Sequence, residues 1–225
     1  MLDDSTVGVL DQATRRLTTI SANGEILGTR SLIAAAGAPE SFCALGDGRL
    51  LLASYGRDSL VEVGSDGTIL GARRKPFDVR DPSGLVSQVI VTGAGADCAA
   101  LLYRGGGGTL HRAAGDAADF SFVSGLELPE WVLDSVGSRA LRPAAAAIYW
   151  ASFADDVVST LVWRSDDQPR EVIDEYDARD GGYRRSFRLP ARASYFARVR
   201  DSIFVQLSDS NDALTLHALI LRPRG

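Results

Sequence analysis

The sequence predicts an all-β chain assembled from repeated four-stranded antiparallel units, and three observations predict it. The first is an internal repeat: residues 15–30, RRLTTISANGEILGTR, align without a gap on residues 58–73, DSLVEVGSDGTILGAR, at an offset of 43. Leu17 falls on Leu60, Ile20 on Val63, Gly24 on Gly67, Ile26 on Ile69, Leu27 on Leu70, Gly28 on Gly71 and Arg30 on Arg73. The second is a turn dipeptide at the same place in each copy, Asn23-Gly24 and Asp66-Gly67. Each stands between two β-rich runs and supplies the positive φ angles of a tight hairpin. The third is the run Leu50-Leu51-Leu52-Ala53, too continuous for a strand with one wet face. Four short strands in 43 residues with both faces covered describe a β-propeller blade. A two-sheet sandwich is the alternative, but it would alternate more cleanly and has no reason for this period.

Taken in order, the first copy begins at its second strand, because Val7 to Leu10 lands on Leu50 to Ala53 at the same offset. The second copy is complete: ESFCAL, then RLLLAS after the Gly46-Asp47-Gly48 turn, then SLVEV, then TILGA, which are strands a, b, c and d. A third uses VSQVIVTG, CAALLYRG, TLHRAA and DFSFVSG, with the glycines from Gly105 to Gly108 as its b–c loop. Neither a Lys-Ser/Thr nor a helical pattern follows those glycines, so they read as a turn and not a phosphate cradle. The fourth contains Trp131 to Leu141, AAIYWASF, STLVWRS with EVIDEYD, and YRRSFRLP. The last reads ASYFARVR, SIFVQLSD and LTLHALILR and has no fourth strand. The expectation is one propeller domain over residues 1–225, with approximate blades 1–40, 41–80, 81–130, 131–190 and 191–225. At 43 residues per repeat the chain holds about 5.2 repeats. Together with the incomplete first and last copies, this favours a six-bladed parent of which an upstream piece is missing. An open blade edge then predicts self-association.

Composition removes several chemistries. The balance of 24 basic against 29 acidic residues, a net charge of −5, argues against nucleic acid as a partner. No long apolar run is present, and MLDDSTVGVLD carries neither a basic nor an apolar leader region, so neither a membrane span nor a signal peptide is expected. With two His, two Cys and the single lysine Lys75, Schiff-base, zinc and Cys/His sites are poorly supplied. The arginine excess reads as codon bias and not as a selected site. Cys43 and Cys98 occupy non-equivalent strands and are expected as two free, buried thiols. His111 and His217 both read as strand residues, which argues against a Ser-His-Asp hydrolase. Trp131, Trp150, Trp163 and Tyr149 are expected in core packing of the fourth copy, and the charges from Asp166 to Arg188 on its solvated outer edge.

RRLTTISANGEILGTR, SLVEVGSDGTILGAR and EVIDEYDARDGGYRRSFRLP resemble the bacterial six-bladed β-propeller proteins of the NHL and TolB-like type. The resemblance spans most of the chain. It implies the fold and leaves function open, because that superfamily includes binding scaffolds, sugar lactonases and lyases. It also implies a parent that is often exported; the sequence itself assigns no compartment.

In such a blade the b–c and d–a loops emerge together at the channel mouth, which makes loop residues the candidate ligand site. They are Asp11, Gln12 and Arg15; Tyr55, Arg57 and Asp58; Arg104; Asp155 and Asp156; and Asp209, Asn211 and Asp212. Acids, arginines and an aromatic together suit a protein, a peptide or a small polar ligand. The bland account of Asp11 is that it caps its own loop while Arg15 pairs with it. No cofactor is expected. Calcium is the one ion whose oxygen chemistry suits Asp155-Asp156 and Asp209-x-Asn211-Asp212, although neither is an EF-hand loop. The expected function is a non-enzymatic binding or interaction scaffold. The alternative is a calcium-dependent lactonase of the gluconolactonase-like type, for which Asn23 and Asn211 are a thin supply of amide ligands.

Overall fold

A computed structural model describes residues 6–33, 37–55, 57–76, 89–94, 97–102, 107–121, 130–133, 139–142, 147–163, 170–199, 202–208 and 213–220. Every regular element among them is a strand. The first sheet is β1 (Thr6–Asp11), β2 (Arg16–Ser21) and β3 (Ile26–Ser31); the second is β4 (Ala38–Gly46), β5 (Arg49–Tyr55), β6 (Ser59–Val63) and β7 (Ile69–Arg74). The third is β8 (Val89–Ala94), β9 (Asp97–Leu102), β10 (Gly107–Arg112) and β11 (Ala117–Ser121). A two-stranded ribbon follows, β12 (Glu130–Leu133) with β13 (Arg139–Arg142). Then come β14 (Ala147–Ala154), β15 (Val157–Trp163), β16 (Val172–Asp177) and β17 (Tyr183–Arg188), and finally β18 (Ala193–Val199), β19 (Ser202–Ser208) and β20 (Leu214–Ile220). Sequential strands pair throughout, so the fold class is the expected one: all-β, in antiparallel sheets of blade type, five of them with three or four strands. Among the described residues the first sheet holds strands b, c and d of the repeat and the last holds strands a, b and c.

The chain forms two compact units, residues 1–101 with 108–119, and residues 102–107 with 120–225. In the first unit Leu17, Leu32, Leu50, Leu52, Val61 and Val63 make one buried cluster, flanked by Leu10 and Phe42, that glues the first sheet to the second. Leu50, Leu51 and Leu52 are each at most 2% exposed, which is how a sheet covered on both faces satisfies three consecutive leucines. In the second unit Leu161, Ile173, Phe196, Ile203, Val205 and Leu207 do the same for the last two sheets, with Trp150 against their edge. Trp150 Nε1 donates to the Phe196 carbonyl at 3.0 Å and the ring meets Tyr195 edge-on, so this tryptophan is a packing residue. The side chains of Trp131 and Trp163 lie outside the described residues.

The repeat reaches further than the hairpins. Arg30 on β3 donates to the carbonyl of Gly64, which follows strand c of the next sheet and opens its c–d turn; Arg73, its repeat partner on β7, donates to the carbonyl of Arg112, which closes the corresponding hairpin one sheet on. Gly64 and Arg112 match because each closes its hairpin with the same pair of backbone bonds. The repeated arginine is thus an inter-sheet tie. Glutamates on strand c complete it: Glu62 lies between Arg49 and Arg73, and Glu175 between Arg185 and Arg198, the latter from the following sheet. These arginines correct the reading of the arginine excess as codon bias alone. Likewise Asp174 and Glu175, expected on a solvated edge, are each 1% exposed, because strand c is an inner strand whose acids are satisfied by Ser186, Arg185 and Arg198.

Two further expectations are corrected. Cys43 on β4 and Cys98 on β9 are not free thiols but a disulfide, with Cα atoms 6.0 Å apart. Non-equivalent positions within a repeat are brought face to face by the packing of one sheet on the next. In the fourth copy, Trp131 to Leu141 pairs with itself as the β12–β13 ribbon, which makes β14 strand a and β15 strand b. Asp155 and Asp156 are therefore the a–b hairpin turn, both at positive φ, and not a b–c loop.

Candidate functional site at the loop end of the first two sheets

Strand a starts, and the b–c loop emerges, at the same end of a sheet, so side chains from both meet there. Asp11 ends β1 and its carboxylate accepts the Thr14 backbone N–H at 3.0 Å. That bond, with a second contribution from the Thr14 hydroxyl, holds the Asp11 carboxyl below the usual range. Asp11 is therefore a loop cap. Arg15 stands at φ 54° in the loop, exposed, and its carbonyl accepts the Leu32 N–H from the d–a connection. The expected Asp11–Arg15 ion pair is not among those formed by the described residues; the Asp11 carboxylate is engaged by Thr14 instead. Gln12 reaches across to the second sheet, its Nε2 donating to the Glu40 carbonyl at 3.1 Å.

In the second sheet Arg57 and Asp58 form the b–c loop, both exposed, with the Arg57 N–H donating to Ser54. Lys75 follows strand β7 on the way to the next sheet and is half-buried. Burial pushes its ammonium pKa down, while Asp58 and then Glu40 oppose the fall; burial likewise pushes Glu40 up, against Lys75. One end of this unit therefore carries Asp11, Gln12, Glu40, Arg57, Asp58 and Lys75. Glu40 and Lys75 escaped the sequence reading because Glu40 sits in a run that reads as strand and Lys75 past the end of one. The chain's single lysine, falling just after the repeat's Arg73-Arg74, was the signal available.

Of the other loop candidates, Tyr55 ends β5 and its side chain lies outside the described residues, as do Arg104, Asp209, Asn211 and Asp212 entirely. Asp155 and Asp156 are set apart from the b–c end of their own sheet. Among the described residues no group of three or more His, Cys, Asp or Glu is disposed to hold a metal ion. No described helix is long and apolar enough to cross a membrane.

No family model matches the sequence, and no curated protein matches it. Solved structures do match. Virginiamycin B lyase from Staphylococcus aureus aligns at 12% identity over 96% of this chain and 82% of its own, with a TM-score of 0.53. Hydrazine synthase of Kuenenia stuttgartiensis aligns at 10% identity over 98% of this chain and 61% of its own, TM-score 0.52. Kluyveromyces lactis Hsv2 aligns at 13% over 99% and 72%, TM-score 0.50. The fold is that of a β-propeller. At these identities the likeness extends to fold alone, and the differing names show how little the fold says of activity.

Proposed function

We propose that this propeller is a non-enzymatic binding scaffold that takes a peptide, a protein segment or a small polar ligand at the loop end of its first two sheets. One observation carries the reading: the half-buried Lys75 lies close enough to Asp58 and Glu40 to feel both charges, with Arg57 exposed in the loop of Asp58 and Gln12 of the first sheet bonded to the Glu40 carbonyl. Charges of both signs, some partly desolvated, suit recognition of a polar group, since a partner's charge meets an opposite one already stripped of some water. The strand-c acids Glu62, partly buried, and Glu175, buried, are occupied as ties between strands and sheets, which leaves the loops as the binding surface. The resemblance to the six-bladed NHL and TolB-like type is part of the proposal. It has support in the β12–β13 ribbon, which stands in chain order where a reduced sixth blade would.

The test is a thermal-shift screen of the full chain against amino acids, sugar acids and short charged peptides, repeated on Arg57→Ala/Asp58→Ala and on Lys75→Met. A ligand that binds only the folded form raises the midpoint. The expected result is a shift in the wild type that both variants lose. A shift that survives in both variants overturns the placement. A rise with millimolar calcium alone, followed by turnover of a lactone, overturns the scaffold in favour of the metal-dependent hydrolase.

A further inference from the structure

A sheet packed between two others is covered on both faces, and strand c records it. The residues of β6, β10 and β16 are buried or half-buried, with Arg112 at the end of β10 the one exposed. The last sheet departs from this, because along β20 every residue but Leu219 is exposed. The register shows which side is bare. Phe196, Ile203, Val205 and Leu207, with Leu219, pack on the β14–β17 sheet. The residues between them point the other way. On that side Phe204 stands opposite Ala218, and Leu214, Leu216 and Ile220 stand opposite Ser208, Gln206 and Ser202. Phe204, Leu214, Leu216 and Ile220 are between 41% and 77% exposed.

The first sheet has a bare side of the opposite sense. Leu10 and Leu17 turn towards the second sheet. Val7 and Val9 alternate to the other side, opposite Ile20 and Thr18, and Ile26 of β3 pairs with Ile20. Val7, Val9 and Ile26 are between 42% and 72% exposed. The middle of each strip is without charge: in the last sheet the apolar residues are partnered by serines, Gln206 and an alanine, and in the first sheet charge enters at the loop end, where Asp11 faces Arg16. A contiguous apolar strip depleted of charge at its middle has the composition of an interface core.

The seams inside the fold say what such a strip takes. Leu17 of the first sheet packs on Leu50, Leu52, Val61 and Val63 of the second, and Leu161 and Ile173 pack on the last sheet, so the forward side of one sheet receives the rear side of the next. The bare side of the last sheet is a forward side and the bare side of the first is a rear side. A second copy of the chain brings a free face of each kind. We propose that the forward face of β18–β20 in one copy docks on the rear face of β1–β3 in a second copy, repeating between molecules the seam that joins the first sheet to the second. The contact is face to face and is driven by apolar burial, unlike the pairing along an open strand edge expected from the repeat, which backbone hydrogen bonds would drive. It is also heterologous. Each docking leaves one free face of each kind on the pair, so association continues past the dimer until copies close into a ring.

The experiment measures the mass of the full chain by light scattering and sedimentation, from micromolar to near-millimolar protein. Wild type is compared with Leu216→Lys, which places a charge on the forward face, with Val9→Lys, which places one on the rear face, and with an equimolar mixture of the two variants. All these positions are exposed in the single copy, so the thermal midpoints should match. Ile220→Lys and Ile26→Lys, on the same two faces, replace a variant that loses the wild-type melting transition. The expected result is a wild-type mass that climbs with concentration beyond a dimer. Each variant alone should associate about a hundredfold more weakly, because its lysine would be buried in an apolar seam. The mixture should regain the wild-type affinity and stop at a dimer, since it joins one intact forward face to one intact rear face and leaves only the two disabled ones free. A wild type that stays monomeric throughout overturns the proposal, whether the faces close on each other within one chain or wait for a different protein. Association that survives Val9→Lys but not Leu216→Lys, or the reverse, shows a face pairing with itself and overturns the forward-to-rear docking, as does a mixture that stays monomeric.

Discussion

Glu175 is 1% exposed and Arg198 beside it 8%, so this pair sits where removing one partner strands the other. Glu175→Gln is expected to cost about 3 kcal/mol in urea unfolding. Arg184→Ala, which breaks the open Arg184–Asp177 pair, should cost less than about 1 kcal/mol. Equal costs would mean that Arg198 finds water when Glu175 is gone. His111 makes a pH prediction of definite sign. Its ring ordinarily titrates near 6.5 and is held to about 4 in the fold. The unfolded chain therefore takes the proton first, and stability present above pH 6.5 is lost as pH falls towards 4. The loss is about 3 kcal/mol from this group, and His111→Val should not show it. Unfolding curves at pH 7 and pH 4 for the two proteins read the difference directly. Neither effect was legible in the sequence, where Glu175 belongs to a charged run and His111 stands three residues past a run of four glycines. Burial is decided by the sheet packed alongside.

At the scale of elements, Gly24 and Gly67 occupy one repeat position, both at positive φ in the c–d hairpin. A Cβ at Gly24 meets nothing within 4 Å, whereas at Gly67 it would meet the Ser31 carbonyl of the first sheet at 2.7 Å. Gly24→Ala should thus cost only the strained backbone, about 1 kcal/mol. Gly67→Ala should add the clash and reach about 3 kcal/mol. Denaturant midpoints that fall equally would show that the hairpin yields without loss. The hairpins themselves were legible, because an Asn-Gly or Asp-Gly pair between apolar runs admits few other conformations. The fourth copy was not: a ribbon at Trp131 to Leu141 and a strand of a blade look alike when only strand propensity is read, and the error moved Asp155 and Asp156 to the wrong end.

For the molecule as a whole, the Cys43–Cys98 bond closes a sequence separation of 55 residues and joins two sheets that no hairpin joins closely. On chain entropy alone, Cys43→Ser/Cys98→Ser should destabilise by about 4 kcal/mol, measured by urea unfolding beside the oxidised wild type. No change would mean that the apolar packing of the two sheets suffices together with Ser41, whose hydroxyl donates to the Val89 carbonyl and accepts the Val91 N–H. Strand d presents a repeated apolar pair to solvent, Ile26-Leu27 and Ile69-Leu70, since it is the outer edge of each sheet. The loop-end cluster was partly legible: Asp11, Arg57 and Asp58 follow from loop position, while Glu40 and Lys75 enter because adjacent sheets bring a strand start and a strand end together.

The sequence by itself determined what depends on neighbours along the chain: the all-β class, the 43-residue period, and the hairpins with positive φ at Gly24 and Gly67. Those are set by backbone sterics and by short-range alternation, which a repeat displays twice. Only the tertiary structure decided which charges are buried, that Arg30 and Arg73 are ties between sheets, that Cys43 meets Cys98, and that Lys75 stands near Glu40 and Asp58. Each of these is a contact between sheets, set by how one packs on the next, and no local pattern in the chain records that geometry.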